Sequence, residues 1–334
     1  MKPAEDFSST ASWYRSFATH GVGGYSPIYE GLSFGVADDP DVVALIAQLP
    51  RPKQQPNLIL ACARLLGAPL GPYGPWREWL VANWDSVRAE ALVRSTQTNE
   101  PRRCAVLLPA LALIDGPIAL LEVGASGGLC LFPDRYSYDW VSGAGEHTRL
   151  DPVDGRSALL LECATTGNPP LPAAMPEIVW RAGLDLNPID LTDPDAANWL
   201  ETLVWPEQVD RLARIRSAME IVRAECPRIV RGDATAGLAA LAAEAPTDAT
   251  LVIQNSAAIV YLTPENRADF IELVTGMDAR WISNEGPGIV PSALAGVGEA
   301  VPQEKDEFLL ALDGHPLAWV GPHGQRLDWL APAS

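Results

Sequence analysis

Residues 117–129, Pro-Ile-Ala-Leu-Leu-Glu-Val-Gly-Ala-Ser-Gly-Gly-Leu, constrain this chain more than any other stretch, because a short apolar run stops abruptly on clustered glycines. Ile118 to Val123 carries one acid near its end, the pattern of an inner strand of a parallel sheet covered on both faces. Gly124, Gly127 and Gly128 then permit positive φ and let backbone approach a ligand where a Cβ would intrude. A helix starting near Gly127 would aim its free N–H groups back at the turn, suiting a carboxylate, a phosphate or hydroxyls. A tight strand-to-helix connection without a ligand is the alternative.

Spacing separates the ligand classes. A dinucleotide fingerprint starting at Gly124 would need glycines where Ser126 and Leu129 stand, and a phosphate loop would need a following lysine that is absent. What fits is an acid two residues before the first glycine, Glu122-Val123-Gly124, followed by small residues at Ser126 and Gly128. This arrangement resembles the first motif of class I S-adenosylmethionine (SAM) dependent methyltransferases, with Ser126 replacing the usual middle glycine. The resemblance implies that Glu122, Gly124, Ala125, Ser126 and Gly128 hold the methionine portion of SAM.

Composition narrows the partners. The chain has 334 residues, 48% of them hydrophobic, enough for one large domain or two ordinary ones. Lys+Arg 24 against Asp+Glu 42 gives a net charge of −18, which repels a phosphate backbone, and Arg102-Arg103 is the only adjacent basic pair. No nucleic acid is expected as a partner; a small-molecule substrate or a basic partner fits better. Cys62, Cys104, Cys130, Cys163 and Cys226 are scattered without C-x-x-C spacing and read as buried free thiols of a reducing compartment. His20, His147, His315 and His323 form no ligand cluster, so no metal is expected. The N-terminus lacks the basic start and apolar core of a signal peptide, and no segment approaches the ~20 apolar residues of a membrane span. The expectation is a cytoplasmic protein. Its oligomeric state is not legible.

Residues 1–115 read as a helical N-terminal cap or substrate region, with core-facing positions at three and four spacing such as Trp13, Tyr14 and Phe17, or Leu58, Ile59 and Cys62. Near its end, Thr96-Gln97-Thr98-Asn99-Glu100-Pro101-Arg102-Arg103 is a polar run ahead of an apolar stretch from Cys104 to Ile114. It reads either as a solvated loop with an N-cap or as amides and a carboxylate delivered to the glycine turn. Gln97-Thr98-Asn99-Glu100, the apolar stretch, Glu122-Val123-Gly124-Ala125-Ser126 and Asp134-Arg135-Tyr136 together resemble an uncharacterised bacterial family known only as a domain of unknown function. That resemblance covers nearly the whole chain and implies no activity.

Residues 116–334 read as a Rossmann-like domain. Strands at 136–140 and 158–163 are expected to form an inserted hairpin over about 136–164. Ile178 to Asp185 reads as an apolar strand ending in Asp185-Leu186-Asn187-Pro188, similar to the methyltransferase segment after the second strand. The resemblance implies that Asp185 and Asn187 take the ribose, since a carboxylate accepts from two hydroxyls at once; capping of the next turn is the alternative. Long helices follow, with Arg211, Arg214, Arg216 and Arg223 read as solvated. Arg228 to Ala234 reads as a third strand ending in Gly232-Asp233-Ala234, where the resemblance implies that Asp233 and Ala234 meet the adenine; a capping role for Asp233 is the alternative. Leu251 to Ala258 is the fourth, with Gln254 and Asn255 where many methyltransferases carry an acid or Asn-Pro-Pro. Thr263-Pro264 starts a helix, 280–286 forms a fifth strand with a polar end, and 307–321 closes the sheet as an antiparallel hairpin around Asp313-Gly314.

The expected fold class is therefore α/β: a class I methyltransferase sheet with a C-terminal antiparallel hairpin, preceded by a helical region. The expected cofactor is SAM and the expected reaction is methyl transfer to a small molecule, with Gln97, Asn99, Glu100 and Tyr261 on the acceptor side and Glu100 the candidate base. A non-catalytic module that binds SAM or another adenosine compound, or an interaction protein on the same fold, is the alternative.

Overall fold

A strand whose six residues include a single acid needs cover on both faces, and β1 (Ile118–Val123) is buried at every position. The computed structural model describes residues 9–97, 99–297 and 307–330. Contacts divide the chain into two units, residues 1–98 with 193–213 and residues 99–192 with 214–334. The division falls at Thr98 rather than near residue 115, so the apolar stretch after Cys104 belongs with the sheet, and 193–213 returns to the first unit.

The first unit is helical: α1 (Thr10–Ser16), α2 (Pro27–Asp38), α3 (Pro40–Ile46), α4 (Pro56–Leu65), α5 (Tyr73–Ala82) and α6 (Trp84–Val93). After α7 (Cys104–Leu111), which lies in the second unit, α8 (Pro194–Thr202) completes the set. Prolines open α2, α3, α4 and α8 at the first turn, where a missing N–H removes no helical bond. Tyr14, Tyr29, Ile59, Trp76, Trp84 and Trp199 anchor its core. The Glu207 carboxylate accepts from Ser26 Oγ at 2.6 Å and from the Ile28 N–H at 2.8 Å, fastening the start of α2.

The second unit carries one sheet: β1, β2 (Ser137–Ser142), β3 (His147–Leu150), β4 (Leu160–Thr166), β5 (Ile178–Asp185), β6 (Arg228–Arg231), β7 (Thr250–Ser256), β8 (Arg280–Glu285), β9 (Phe308–Leu312), β10 (His315–Val320) and β11 (Arg326–Trp329). Their order is β3-β2-β4-β11-β10-β9-β8-β7-β1-β5-β6, and the sheet is mostly parallel. After β1 the chain crosses to β2, β3 and β4 at the far edge of the sheet, then enters β5 and β6 on one side of β1 and returns to β7 and β8 on the other. The strand order thus reverses between β1 and β7, and ligands of open α/β sheets bind at such a switch point beyond the carboxyl ends.

α9 (Val209–Glu225) precedes β6, and one face of the sheet carries Leu121, Ile253 and Trp281 against Leu238 and Leu241 of α10 (Ala234–Ala242), Phe270 of α11 (Pro264–Thr275) and Ala293 of α12 (Pro291–Gly296). Successive strand residues alternate, so Glu122, Gln254 and Asn284 point to the other face. There α7, buried along its whole length, packs near β4, β8 and β9. Among the described residues no helix is long and apolar enough to cross a membrane.

Two expected features differ. Residues 136–140 and 158–163 lie in β2 and β4, which pair in parallel (Tyr138 with Leu161), while the antiparallel hairpin is β2–β3. The terminal hairpin, β9–β10, does not close the sheet: β11 follows and joins β4 in parallel. Four cysteines are buried and Cys226 is exposed, all free. Leu121→Ala, at a fully buried position of β1, is expected to lower unfolding free energy by about 2–5 kcal/mol. Val179→Ala, half exposed on β5, changes it by about 0.5 kcal/mol or less; urea unfolding followed by circular dichroism measures both.

Candidate functional site

The turn after β1 is held almost entirely by protein groups. Gly124 takes φ of 79°, a conformation that L side chains rarely adopt, and a Cβ there would collide with that of Ala258. The N–H groups of Gly124 and Ala125 both donate to the Leu184 carbonyl, at 2.8 and 3.4 Å, bending the turn toward β5. Ser126 N–H donates to Asp185 Oδ2 at 2.8 Å, Gly127 N–H to Asn99 Oδ1 at 3.3 Å, and Gly128 N–H to the Ala125 carbonyl at 2.7 Å. Five successive N–H groups are therefore engaged. No helix follows Gly128; the chain runs to a 3-10 turn at Pro133–Arg135 and into β2. The expected helix terminus with free N–H groups is absent because Asn99, Asp185 and two carbonyls take those donors.

Asp185 and Asn99 form the centre of this array. Asp185 Oδ1 accepts from the Asn187 N–H at 2.7 Å while Oδ2 holds Ser126, leaving about two lone-pair positions on the carboxylate. Asn99, 6% exposed, donates through Nδ2 to Ser126 Oγ, and the Ser126 carbonyl accepts from Ile189 N–H at 3.1 Å. Ser126 itself sits at φ of 51°, so this non-glycine residue is kept left-handed by bonds to its N–H, its carbonyl and its hydroxyl. Asn99, Ser126, Asp185 and Asn187 are thus brought together.

Asp233 and Ala234 lie outside that array. Asp233 Oδ1 caps α10, accepting from Thr235 N–H at 2.9 Å and Ala236 N–H at 3.1 Å, and Ala234 is the first helical residue. A link to Asn187 runs through Arg231, whose Nη1 donates to Asn187 Oδ1 at 3.2 Å.

On the α7 face, Glu122 is 5% exposed and its Oε2 has no partner. Burial pushes its carboxyl well above the usual range; Cys130 and Asp185 add to the shift and Arg103 opposes it. Gln254, the register partner of Glu122, donates through Nε2 to the Cys130 carbonyl at 3.0 Å, and its Oε1 is buried without a partner. Asn255 points the opposite way. Its Nδ2 donates to Glu285 Oε1 at 2.7 Å and its Oδ1 accepts from Trp281 Nε1 at 2.7 Å. Gln254 and Asn255 therefore cannot line one pocket as a pair, because neighbours on a strand face opposite sides of the sheet.

Glu100 is wholly buried, accepting the Arg102 N–H at 3.2 Å, with Arg214 Nε 3.5 Å from the same oxygen. Arg214, expected to be solvated, is drawn in by this carboxylate, and Arg223 donates through Nε to the Leu191 carbonyl at 2.7 Å. Tyr261 is 75% exposed, and Gln97 is counted with the first unit. Three residues that sequence reasoning did not single out are prominent. Glu285, 2% exposed, accepts from Asn255 Nδ2 and from the N–H groups of Ala258 and Ile259 at 2.9 and 3.2 Å; burial raises its pKa and these bonds oppose the shift. Arg103 donates to the carbonyls of Pro322 and Ser256, both at 3.0 Å, and Cys130 Sγ donates to the Glu100 carbonyl at 3.5 Å. The signal for Glu285 was an acid at the end of a strand, the feature already used at Glu122 and Asp185.

Among the described residues no group of three His, Cys, Asp or Glu side chains stands ready to hold a metal ion. Glu122 provides a pH test. Its folded pKa lies above the unfolded value of about 4.3, so the stabilisation from its proton is full below that value and lost as pH rises through the folded pKa. Glu122→Gln keeps the shape and cannot ionise; its stability relative to the parent is expected to increase from pH 5 to pH 8, by up to about 1.4 kcal/mol per pH unit, in urea melts at the two pH values.

No curated protein and no solved structure matches the chain. A family profile does, over residues 11–329, which agrees with the motifs at Gln97 to Glu100, Glu122 to Ser126 and Asp134 to Tyr136, and the chain accordingly belongs to the bacterial family described as "Uncharacterized protein conserved in bacteria (DUF2332)".

Proposed function

We propose that the second unit binds S-adenosylmethionine and directs its methyl group to a small molecule. The observation that carries this reading is the row of carboxylates along β6-β5-β1, beside the point where strand order reverses: Glu122 near the end of β1, Asp185 ending β5 and Asp233 just beyond β6. The residues fit the group in part. Asp185 retains free lone pairs for ribose hydroxyls, with Asn187 beside it, and Asp233 and Ala234 stand at the start of α10 for the adenine. Gly124, Ala125, Ser126 and Gly128 have their N–H groups engaged, so contacts to the methionine portion would use their carbonyls and the Ser126 hydroxyl.

When bound, the group supplies an electrophilic methyl on a sulfonium. The chain's part is to align the acceptor with that methyl and to keep water out. Asn99 contributes by holding the turn, and Asn255 by holding the end of β7 through Glu285, rather than by contact. Any proton to be removed falls to Glu100, the one carboxylate among the acceptor-side candidates. Its side chain is enclosed, so that role requires the acceptor to reach it past Arg214.

A second reading is favoured by the engaged turn and by Ser126 in place of glycine: a module that binds SAM or another adenosine compound without turnover. Calorimetric titration of the full chain with SAM and with S-adenosylhomocysteine tests the shared premise, and micromolar binding of both is expected. No binding by folded protein removes both readings. Asp185→Ala is expected to weaken binding by roughly 1.5–3 kcal/mol through loss of bonds to a charged group; full affinity in the folded variant refutes the ribose assignment. Glu100→Gln is expected to lower turnover while leaving S-adenosylhomocysteine affinity in place, and unchanged turnover would exclude it as the base.

A further inference from the structure

Three buried side-chain oxygens on one face of the sheet have no donor: Glu122 Oε2 on β1, Gln254 Oε1 on β7 and Asn284 Oδ1 on β8. Their residues are 5%, 1% and 0% exposed. Register relates them. Glu122 and Gln254 are Cα partners, and Asn284 is the partner of Ser256, two residues beyond Gln254. Residues two apart share a face and neighbouring strands lie about 4.8 Å apart, so Glu122 and Gln254 stand level with each other and Asn284 lies diagonally, two residues further along, on the same face. The donors these residues own are already directed elsewhere, Gln254 Nε2 to the Cys130 carbonyl at 3.0 Å and Asn284 Nδ2 to Ser256 Oγ at 2.9 Å. Arg103, the cation whose charge acts on Glu122, turns its Nε and Nη1 to the carbonyls of Pro322 and Ser256.

Buried acceptors are almost always met by a donor, and a set of three on one face points to a ligand that supplies donors. We propose that these three oxygens form the subsite for the ammonium group of a small primary amine, a second ligand beside the cofactor. An ammonium carries three N–H donors and no acceptor, matching two amide oxygens and a Glu122 carboxylate that gives up its proton as the cation enters; a hydroxyl offers one donor and sets its own lone pairs against the remaining oxygens. The net charge of −18 draws cations toward the protein. The three residues run from β1 toward β8, whereas Asp185, Asn187 and Asp233 lie on the β5 and β6 side, so the two sets occupy opposite halves of the switch point. The proposal rests on the cofactor reading for what fills the other half.

The test is titration of the full chain with n-butylamine and, separately, n-butanol, with and without saturating S-adenosylhomocysteine. Butylamine is expected to bind and butanol at the same concentration is not. Asn284→Leu is expected to weaken amine binding at least tenfold while S-adenosylhomocysteine affinity stays, and Asn284→Asp, which adds a charge in the same shape, to tighten it. Equal binding of amine and alcohol, or binding of neither by protein that takes S-adenosylhomocysteine, overturns the ammonium subsite and leaves the cofactor reading standing. Amine binding without S-adenosylhomocysteine binding upholds the subsite and removes the cofactor reading. Should Asn284→Leu fail to fold, unchanged amine affinity in Asn284→Asp overturns the subsite by itself.

Discussion

The geometry of the switch point depends on one carboxylate. Both oxygens of Asp185 are committed to backbone N–H groups, one on the turn after β1 and one on its own loop, and this fixes two chain segments that are 59 residues apart. A left-handed serine costs about 1–2 kcal/mol, and Ser126 keeps that conformation because Asp185, Asn99 and Ile189 bond three of its groups. The glycine turn is thereby set before any ligand arrives. Such pre-organisation lowers the ordering cost of binding, and it also removes the five N–H groups through which glycine turns commonly hold anions.

The two faces of the sheet use polar residues differently. On the face with α10, α11 and α12, Glu285 Oε1 takes the Asn255 amide and the N–H groups of Ala258 and Ile259, stiffening the loop after β7, while its Oε2 alone is left without a donor. On the α7 face, Glu122, Gln254 and Asn284 keep oxygens that nothing satisfies. Unmet acceptors destabilise a fold unless something repays them, and their concentration beside the reversal of strand order is where repayment by a ligand is most useful. Glu100 and Arg214 extend this polar interior, and Arg103 ties it to the loop after β10.

Much of the fold was legible in the sequence. The apolar runs ending in Glu122, Asp185 and Asn255, the proline and threonine opening α11, and the turn at Asp313-Gly314 each express a local rule, so β1, β5, β7, α11 and the terminal hairpin followed from residue order. β3 and β11 did not follow. They are four residues each, too short for alternation to register, and they become strands through pairing with β2, β4 and β10. Arg214 carried no sign of burial either, since its place is decided by Glu100, more than a hundred residues earlier.

By itself the sequence determined the longer strands and helices, that the chain has an α/β sheet preceded by helices, and that acids sit at strand ends, because periodicity and turn chemistry act over a few residues. Only the tertiary structure decided which acids face a common space and which are already satisfied. Gln254 and Asn255 are neighbours in the chain yet face opposite sides of the sheet, and Asp185 is half occupied by the backbone it was expected to leave free. Strand register and hydrogen bonds between distant segments set those outcomes, and neither is encoded in local residue order.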